Sequence, residues 1–229
     1  MNATPKKRHS DESAAISYKR KDANWLKLRL LFGLVGTLTL VAGTARCAVN
    51  DNTPGIRIRV DDYAHVSPGI LNGAQREAAR ILAKAGLRAE WLDCSLKNES
   101  AADPCSEPLQ PTEIVLRLIS EAKNNKYQDS VFGFAVVPLV ASAYVNYAVR
   151  SAQRDNAEFE IPVILGSVIA HEIGHLLLGL NSHSESGIMQ KQWERHQIRQ
   201  ALTGNLLFTI EQGQSMQAEI RKRAQNPPH

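Results

Sequence analysis

The residues most capable of chemistry lie in one pentapeptide, His171-Glu172-Ile173-Gly174-His175. Two histidines four residues apart share one face of a helix, so both imidazoles can reach the same metal ion. Neutral imidazole nitrogens suit Zn²⁺, which lowers the pKa of a bound water to about 7. Glu172, beside the first histidine, can accept a proton from that water. The pattern therefore predicts a hydrolytic zinc site with His171 and His175 as ligands and Glu172 as the general base.

The segment around the pentapeptide favours a metal site over a chance occurrence of the pattern. Residues 162–179 are almost continuously apolar, so they predict a buried helix, and Gly179 is placed to end it. Burying a carboxylate and two imidazoles without partners would cost several kcal/mol, roughly the penalty for unpaired buried polar groups. A metal ion would remove that cost, and a core cluster held only by hydrogen bonds is the alternative.

A catalytic zinc usually has three protein ligands, so a third must be found. His183 is the best candidate, because a turn after Gly179 could bring it back toward the other histidines. Glu194 is the main rival and would lie on the following helix. Glu185, in the same loop as His183, is a weaker rival, and His196 is expected at the surface.

The same stretch resembles the active-site segment of the metzincin zinc peptidases, above all their matrixin-like members. The family motif is H-E-x-x-H-x-x-G-x-x-H followed by a turn that contains a methionine. The resemblance is carried by residues 171–175, Leu178-Gly179-Leu180, His183-Ser184 and Ile188-Met189. It implies a zincin-like fold, peptidase activity, zinc ligands His171, His175 and His183, general base Glu172 and turn methionine Met189.

The spacing departs from the family motif after the second histidine. The glycine comes one residue later and the third histidine two residues later, so the family's third-histidine position falls on Asn181. No tyrosine follows the motif, so the additional tyrosine ligand of some metzincins is absent. Glu194 keeps a second group of zincins, the gluzincins, open as an alternative, because their third ligand is a glutamate on a following helix.

The first 48 residues predict a targeting segment. They hold nine Lys or Arg against three Asp or Glu, and basic residues precede an apolar run from Leu30 to about Gly43. A basic flank, an apolar run and small residues after it are typical of a secretory signal peptide, with an uncleaved single-span membrane anchor as the alternative. We therefore expect residues 49–229 to be exported, as a periplasmic, secreted or outward-facing anchored domain.

Composition, charge and cysteines limit the partners and the compartment. The chain is 43% hydrophobic and 22% charged, which excludes a disordered or a multi-span membrane protein. Outside the first 48 residues, 18 Lys or Arg face 20 Asp or Glu, so the net charge of +4 does not indicate nucleic-acid binding. Cys94 and Cys105 flank a polar loop and are expected to form a disulfide in an oxidising compartment.

Hydrophobic periodicity predicts one α/β (α+β) domain over residues 49–229, with a twisted mixed sheet packed on helices. Strands are predicted at 56–60, 87–92, 113–119, 131–137 and 143–147, although the last stretch could instead begin a helix. Helices are predicted from Ser67-Pro68 to Gly86, over 162–179, over 193–202 and from Thr209, where Gln212 completes a capping box. The helix over 162–179 carries the metal-binding motif.

Two classes of function fit these features. The first is an exported zinc endopeptidase, whose peptide or protein substrate would pair in extended form with an edge strand, expected within 131–137. The second is a zinc-stabilised binding or structural domain that does not turn over substrate. The intact Glu172 favours the first.

Overall fold

The computed structural model describes residues 52–95, 103–121, 131–154 and 158–225. All of them belong to the unit Ala48–His229. The predicted targeting segment, residues 1–48, lies outside the described residues. So does the end of the chain, residues 226–229.

The described part of the chain forms a mixed α/β fold. Its strands are β1 (Gly55–Asp62), β2 (Arg88–Asp93), β3 (Glu113–Ile119), β4 (Gly133–Val136) and β5 (Val140–Tyr144). Its helices are α1 (Pro68–Lys84), α2 (Val145–Arg154), α3 (Ile161–Leu178), α4 (Arg195–Leu202) and α5 (Ile210–Gln225). The five strands make one sheet in the order β2-β1-β3-β5-β4, in which β4 alone pairs antiparallel. The predicted fold class, a mixed sheet packed on helices, is confirmed.

Strict alternation places one face of the central strands in the core. Ile58 and Val60 of β1, together with Leu116 and Leu118 of β3, are fully buried. Successive side chains of a strand point to opposite faces, so one apolar residue in two is enough to cover one side of the sheet. These residues share a single core with the apolar faces of α1 and α3.

Helix α3 runs through the centre of the part of the chain that the structure describes. Every residue from Ile164 to Leu177 is buried, which confirms the predicted buried helix. The stretch Glu158–Leu178 has the length and apolarity of a membrane span, but 78% of its most apolar window is buried inside the protein. A helix surrounded by other elements is apolar on all sides, so burial accounts for this composition.

Two glycines allow α1 and α3 to pack closely. An ideal Cβ on Gly166 of α3 would lie 2.6 Å from the carbonyl oxygen of Ala74. One on Gly73 of α1 would lie 2.6 Å from the side chain of Pro162. Neither position has room for a side chain, and the close packing of the two helices fixes the position of α3.

The prediction of a strand at residues 143–147 is wrong in its bounds. The chain turns back directly after Pro138, and Val140 of β5 already pairs with Val136 of β4. The strand therefore ends at Tyr144, and α2 begins at Val145. The buried residues of α2 recur at helical spacing: Tyr147, Ala148, Ser151 and Ala152. Alternation and helical periodicity overlap here, so the boundary is decided by the pairing of β5 with β4 and with β3, where Tyr144 opposite Ile119 is the last pair.

Most of the other local features predicted from the sequence, the helix caps and the disulfide, are present in the structure. Thr209 and Gln212 form the predicted capping box, since each donates its backbone N–H to the other's side-chain oxygen. Ser67 is the N-cap residue of α1 but makes no side-chain capping bond. The predicted disulfide joins Cys94 and Cys105, whose Cα atoms are 5.6 Å apart.

Candidate metal centre

Helix α3 brings His171 and His175 to one buried spot, where their Nε2 atoms lie 3.1 Å apart. The side chains are only 1% and 7% exposed. Nδ1 of His171 lies 2.7 Å from the carbonyl oxygen of Ile188. A carbonyl only accepts, so Nδ1 must carry the proton and donate it. This bond leaves Nε2 of His171 as an unprotonated lone pair.

Ser182 fixes the orientation and the protonated nitrogen of His175 in the same way. Its Oγ donates its single proton to the carbonyl oxygen of Gly179 at 2.6 Å, so it accepts from Nδ1 of His175 at 3.0 Å. Both Nε2 atoms therefore carry lone pairs, and their contact is not a hydrogen bond. Two lone pairs at this distance repel each other unless a cation binds both. Tetrahedral zinc, with bonds of about 2.0–2.1 Å, holds ligand nitrogens about 3.3 Å apart, close to the distance observed.

The loop after α3 adds a third histidine to this pair. Gly179 ends the helix with a positive φ of 97°, and its N–H donates to the carbonyl of His175. The chain then returns, so that the ligand atoms of His171, His175 and His183 all lie within 4.8 Å of one another. The exposed His183 ring lies 4.6 Å from the ring of His175, centre to centre. The three histidines singled out from the sequence are thus brought together.

The surroundings keep the three imidazoles neutral. Burial lowers the pKa of His171 to about 3. Burial and then the neighbouring His183 lower the pKa of His175, while burial and then the Lys191 charge lower that of His183. Neutral imidazole is the form that binds a metal, so no proton has to be displaced at neutral pH.

The rival ligands lie elsewhere. Glu194 is the exposed N-cap residue of α4, and its backbone N–H donates to the side chain of Gln197. Its neighbour Trp193 takes the inward position: this ring packs 4.4 Å from Phe132 and donates to the carbonyl of Ile188 at 3.2 Å. Among the described residues, Glu194 does not join the histidine group. The weaker rival Glu185 is exposed as well, and His196 lies at the surface as expected.

Glu172 opens onto the same cavity as the histidines. This cavity has a volume of about 440 Å³ and is also lined by residues 131–135, Leu180, Lys191 and Gln192. Glu172 is 3% exposed, and its Oε2 has no hydrogen-bond partner among the described residues. Burial raises its pKa to about 8, whereas a cation held beside it would favour the ionised form. A buried carboxylate oxygen without a partner, facing three neutral imidazoles, fits a bound dication.

Gly133 of β4 lies directly against Glu172. An ideal Cβ at this position would lie 3.0 Å from the carboxyl carbon of Glu172 and 1.9 Å from the carbonyl oxygen of Ser142. Only glycine therefore lets the edge strand pass this close to the carboxylate. This glycine was not singled out from the sequence, although a glycine inside a strand pattern is a signal of close approach.

The turn at Ile188-Met189 packs against the part of α3 that carries the motif. The Ile188 carbonyl accepts from both His171 and Trp193, and Met189 is fully buried. Its sulphur lies 2.6 Å from where a Cβ on Gly174 would be. The methionine implied by the resemblance is therefore packed against the glycine of the motif.

Ser182 is a residue that sequence reasoning missed, and its role leads to a prediction. Ser182→Ala removes the acceptor that orients His175, so we expect zinc affinity to fall by about 10- to 100-fold, as for other partners of metal ligands. Competition with a chelator of known affinity measures this. Ser186→Ala, in the exposed part of the same loop, is the control. Equal affinities for the two variants would contradict the assigned hydrogen bond.

No protein-family model matches this chain, and no curated protein matches it. Among solved structures, the chain is similar to archaemetzincin from Methanopyrus kandleri, with 15% sequence identity and a TM-score of 0.47. The match covers 73% of this chain and 97% of that chain. At this level of similarity, the function has to be argued from the side chains of the site itself.

Proposed function

We propose that this protein is an exported zinc-dependent peptidase. The observation that carries the proposal is one cavity that holds three clustered histidines and a buried carboxylate without a partner. His171, His175 and His183 would hold the zinc ion, with Glu172 beside it. Hydrogen bonds to the Ile188 carbonyl and the Ser182 hydroxyl orient the imidazoles of His171 and His175.

The residues of the chain suit hydrolysis of a peptide bond. When bound, zinc would polarise the peptide carbonyl and make a water reactive near neutral pH. Glu172 would accept a proton from the water as the water oxygen attacks the carbonyl carbon. It would return that proton to the amine nitrogen as the carbon–nitrogen bond breaks. The buried position of Glu172 keeps bulk water from competing for this proton.

Strand β4 offers a place for the substrate. It forms one edge of the sheet, pairing with β5 on one side, and residues 131–135 line the cavity. An edge strand has free backbone groups that can pair with an extended peptide. Phe134 is 43% exposed at this edge, so it can also contact substrate side chains.

The experiment that tests the proposal compares the metal-free and zinc-loaded protein on an unbiased peptide library. We expect cleavage only with zinc, about one zinc per chain, and a lower melting temperature after chelation. Stoichiometric zinc without cleavage of any peptide would favour the alternative, a zinc-stabilised binding domain. Cleavage that persists at full rate in metal-free protein would refute the peptidase mechanism.

Export is the second part of the proposal. The basic residues before the apolar run support it, and the Cys94–Cys105 disulfide fits an oxidising compartment. A C-terminal fusion to a reporter that works only in the cytoplasm is expected to be silent. The same fusion to the chain without residues 1–48 should be active. An active reporter on the full chain would contradict export, and the mature N-terminus would distinguish cleavage from anchoring.

A further inference from the structure

The cavity at the histidine triad contains a charge that the proposed reaction does not use. Lys191 lines this cavity and is exposed to solvent. In the part of the chain that the structure describes, no acidic side chain pairs with it. With the three histidines neutral, Lys191 and Glu172 are the lining residues, among those described, that can carry a full charge.

The backbone on both sides of Lys191 is held in place. On one side, the Gln190 side chain accepts a hydrogen bond of 2.7 Å from Gln197 of α4. On the other side, the ring of Trp193 is buried and donates to the carbonyl of Ile188. The backbone of Lys191 is therefore held at the cavity, while its long side chain still loses rotamer freedom when it binds a ligand.

Water moderates the effect of this charge. Phe132, Ala135 and Leu180 are among the apolar residues that share the lining. Lys191 itself is exposed, so solvent screens part of the attraction between its ammonium and an anion, and the expected effect is modest. Lys191 and His183 line the same cavity, and the Lys191 charge, after burial, lowers the pKa of His183.

We propose that Lys191 selects the substrate by binding a carboxylate group that lies close to the peptide bond to be cut. This inference rests on the proposed peptidase function of the same cavity. The carboxylate can come from an Asp or Glu side chain or from the free C-terminus of the peptide. Lys191 and the histidine triad line one cavity of about 440 Å³. An extended chain spans about 3.3–3.6 Å per residue, so a peptide in a cavity of this size places the carboxylate within about two residues of the bond.

The test uses three pools of acetylated hexapeptides that are random apart from one central position and lack other acidic residues. The first pool has Glu at that position and an amidated C-terminus, the second has Gln there and the same amide, and the third has Gln with a free carboxylate. Binding is measured to zinc-loaded Glu172→Gln protein, so that it does not depend on turnover. Cleavage is measured with the zinc-loaded wild type.

We expect the first or third pool to bind and react about tenfold better than the second, the scale of a charge-assisted hydrogen bond at a partly exposed site. The pool that gains this factor identifies the source of the carboxylate. Lys191→Gln should abolish the preference, Lys191→Glu should invert it, and Lys191→Arg should retain it. Lys84→Gln, which removes an exposed lysine at the end of α1, should leave the preference unchanged.

The two proposals fail in different ways. If no peptide is cleaved but the binding preference exists and depends on Lys191, the peptidase function fails and the carboxylate site stands. If peptides are cleaved with no preference among the pools, or with a preference that survives Lys191→Glu, the carboxylate site is refuted. Equal binding of all three pools refutes it as well.

Discussion

Glu172→Gln is expected to retain zinc and to lower peptide hydrolysis at least about 100-fold, the usual scale for loss of a general base. The amide has nearly the shape of the carboxylate and fits the same buried position beside Gly133. It cannot accept the proton of the attacking water. Zinc content and kcat, measured on the same preparation, test both parts of this expectation.

Glu185→Gln is the matched control, since it makes the same chemical change on an exposed loop close in sequence to the site. It should hydrolyse peptides like the wild type. If Glu172→Gln also kept wild-type activity, another group would have to be the base. If it lost zinc, the effect on rate would report on the metal and not on the proton transfer, and the assignment of Glu172 would need the zinc-saturated rate.

His183→Ala is expected to weaken zinc binding by more than 100-fold, beyond the range of about 10- to 100-fold for residues that only support a ligand. The reason is geometric: a ligand atom of His183 lies within 4.8 Å of the nitrogens of both helix histidines. Glu194→Ala should bind zinc like the wild type, because Glu194 lies at the exposed start of α4. Chelator competition at fixed pH provides both affinities.

The comparison of these two variants decides between His183 and Glu194 as the third ligand of the proposed zinc site. A larger loss of zinc affinity in Glu194→Ala than in His183→Ala would make the site gluzincin-like. His196→Ala, on the exposed face of α4, controls for nonspecific effects of removing a histidine. It should leave zinc affinity unchanged, and a loss comparable to that of His183→Ala would show that the triad is wrongly assigned.

The two extra residues before the third histidine are taken up by the loop itself. Gly179 leaves α3 in the left-handed region, and Ser182 bonds back to its carbonyl oxygen, which closes a tight turn. Asn181, the position where the family motif has its histidine, is exposed. The shifted spacing therefore still brings His183 to the ligand cluster, through a turn stabilised by the hydroxyl that also orients His175.

The sequence by itself determined the features that depend on local spacing. Helical periodicity places His171 and His175 on one face, and an unbroken apolar run requires burial, so the histidine pair and its buried helix followed directly. Alternation in β1 and β3, the capping box at Thr209 and the Cys94–Cys105 pair were likewise readable. Apart from the disulfide, whose cysteines are separated by 11 positions, each of these signals involves residues that interact within a few positions or within one element.

Tertiary structure alone decided the rest of the site. The exposed position of Glu194 and the contact of Gly133 with Glu172 depend on elements far apart in the chain, and the distances from His183 to the other two histidines depend on the conformation of the loop after α3. Trp193 illustrates the cause: its ring packs on Phe132 in the core, and the next residue, Glu194, faces solvent. Such choices are made by long-range packing of side chains, which leaves no periodic pattern in the sequence.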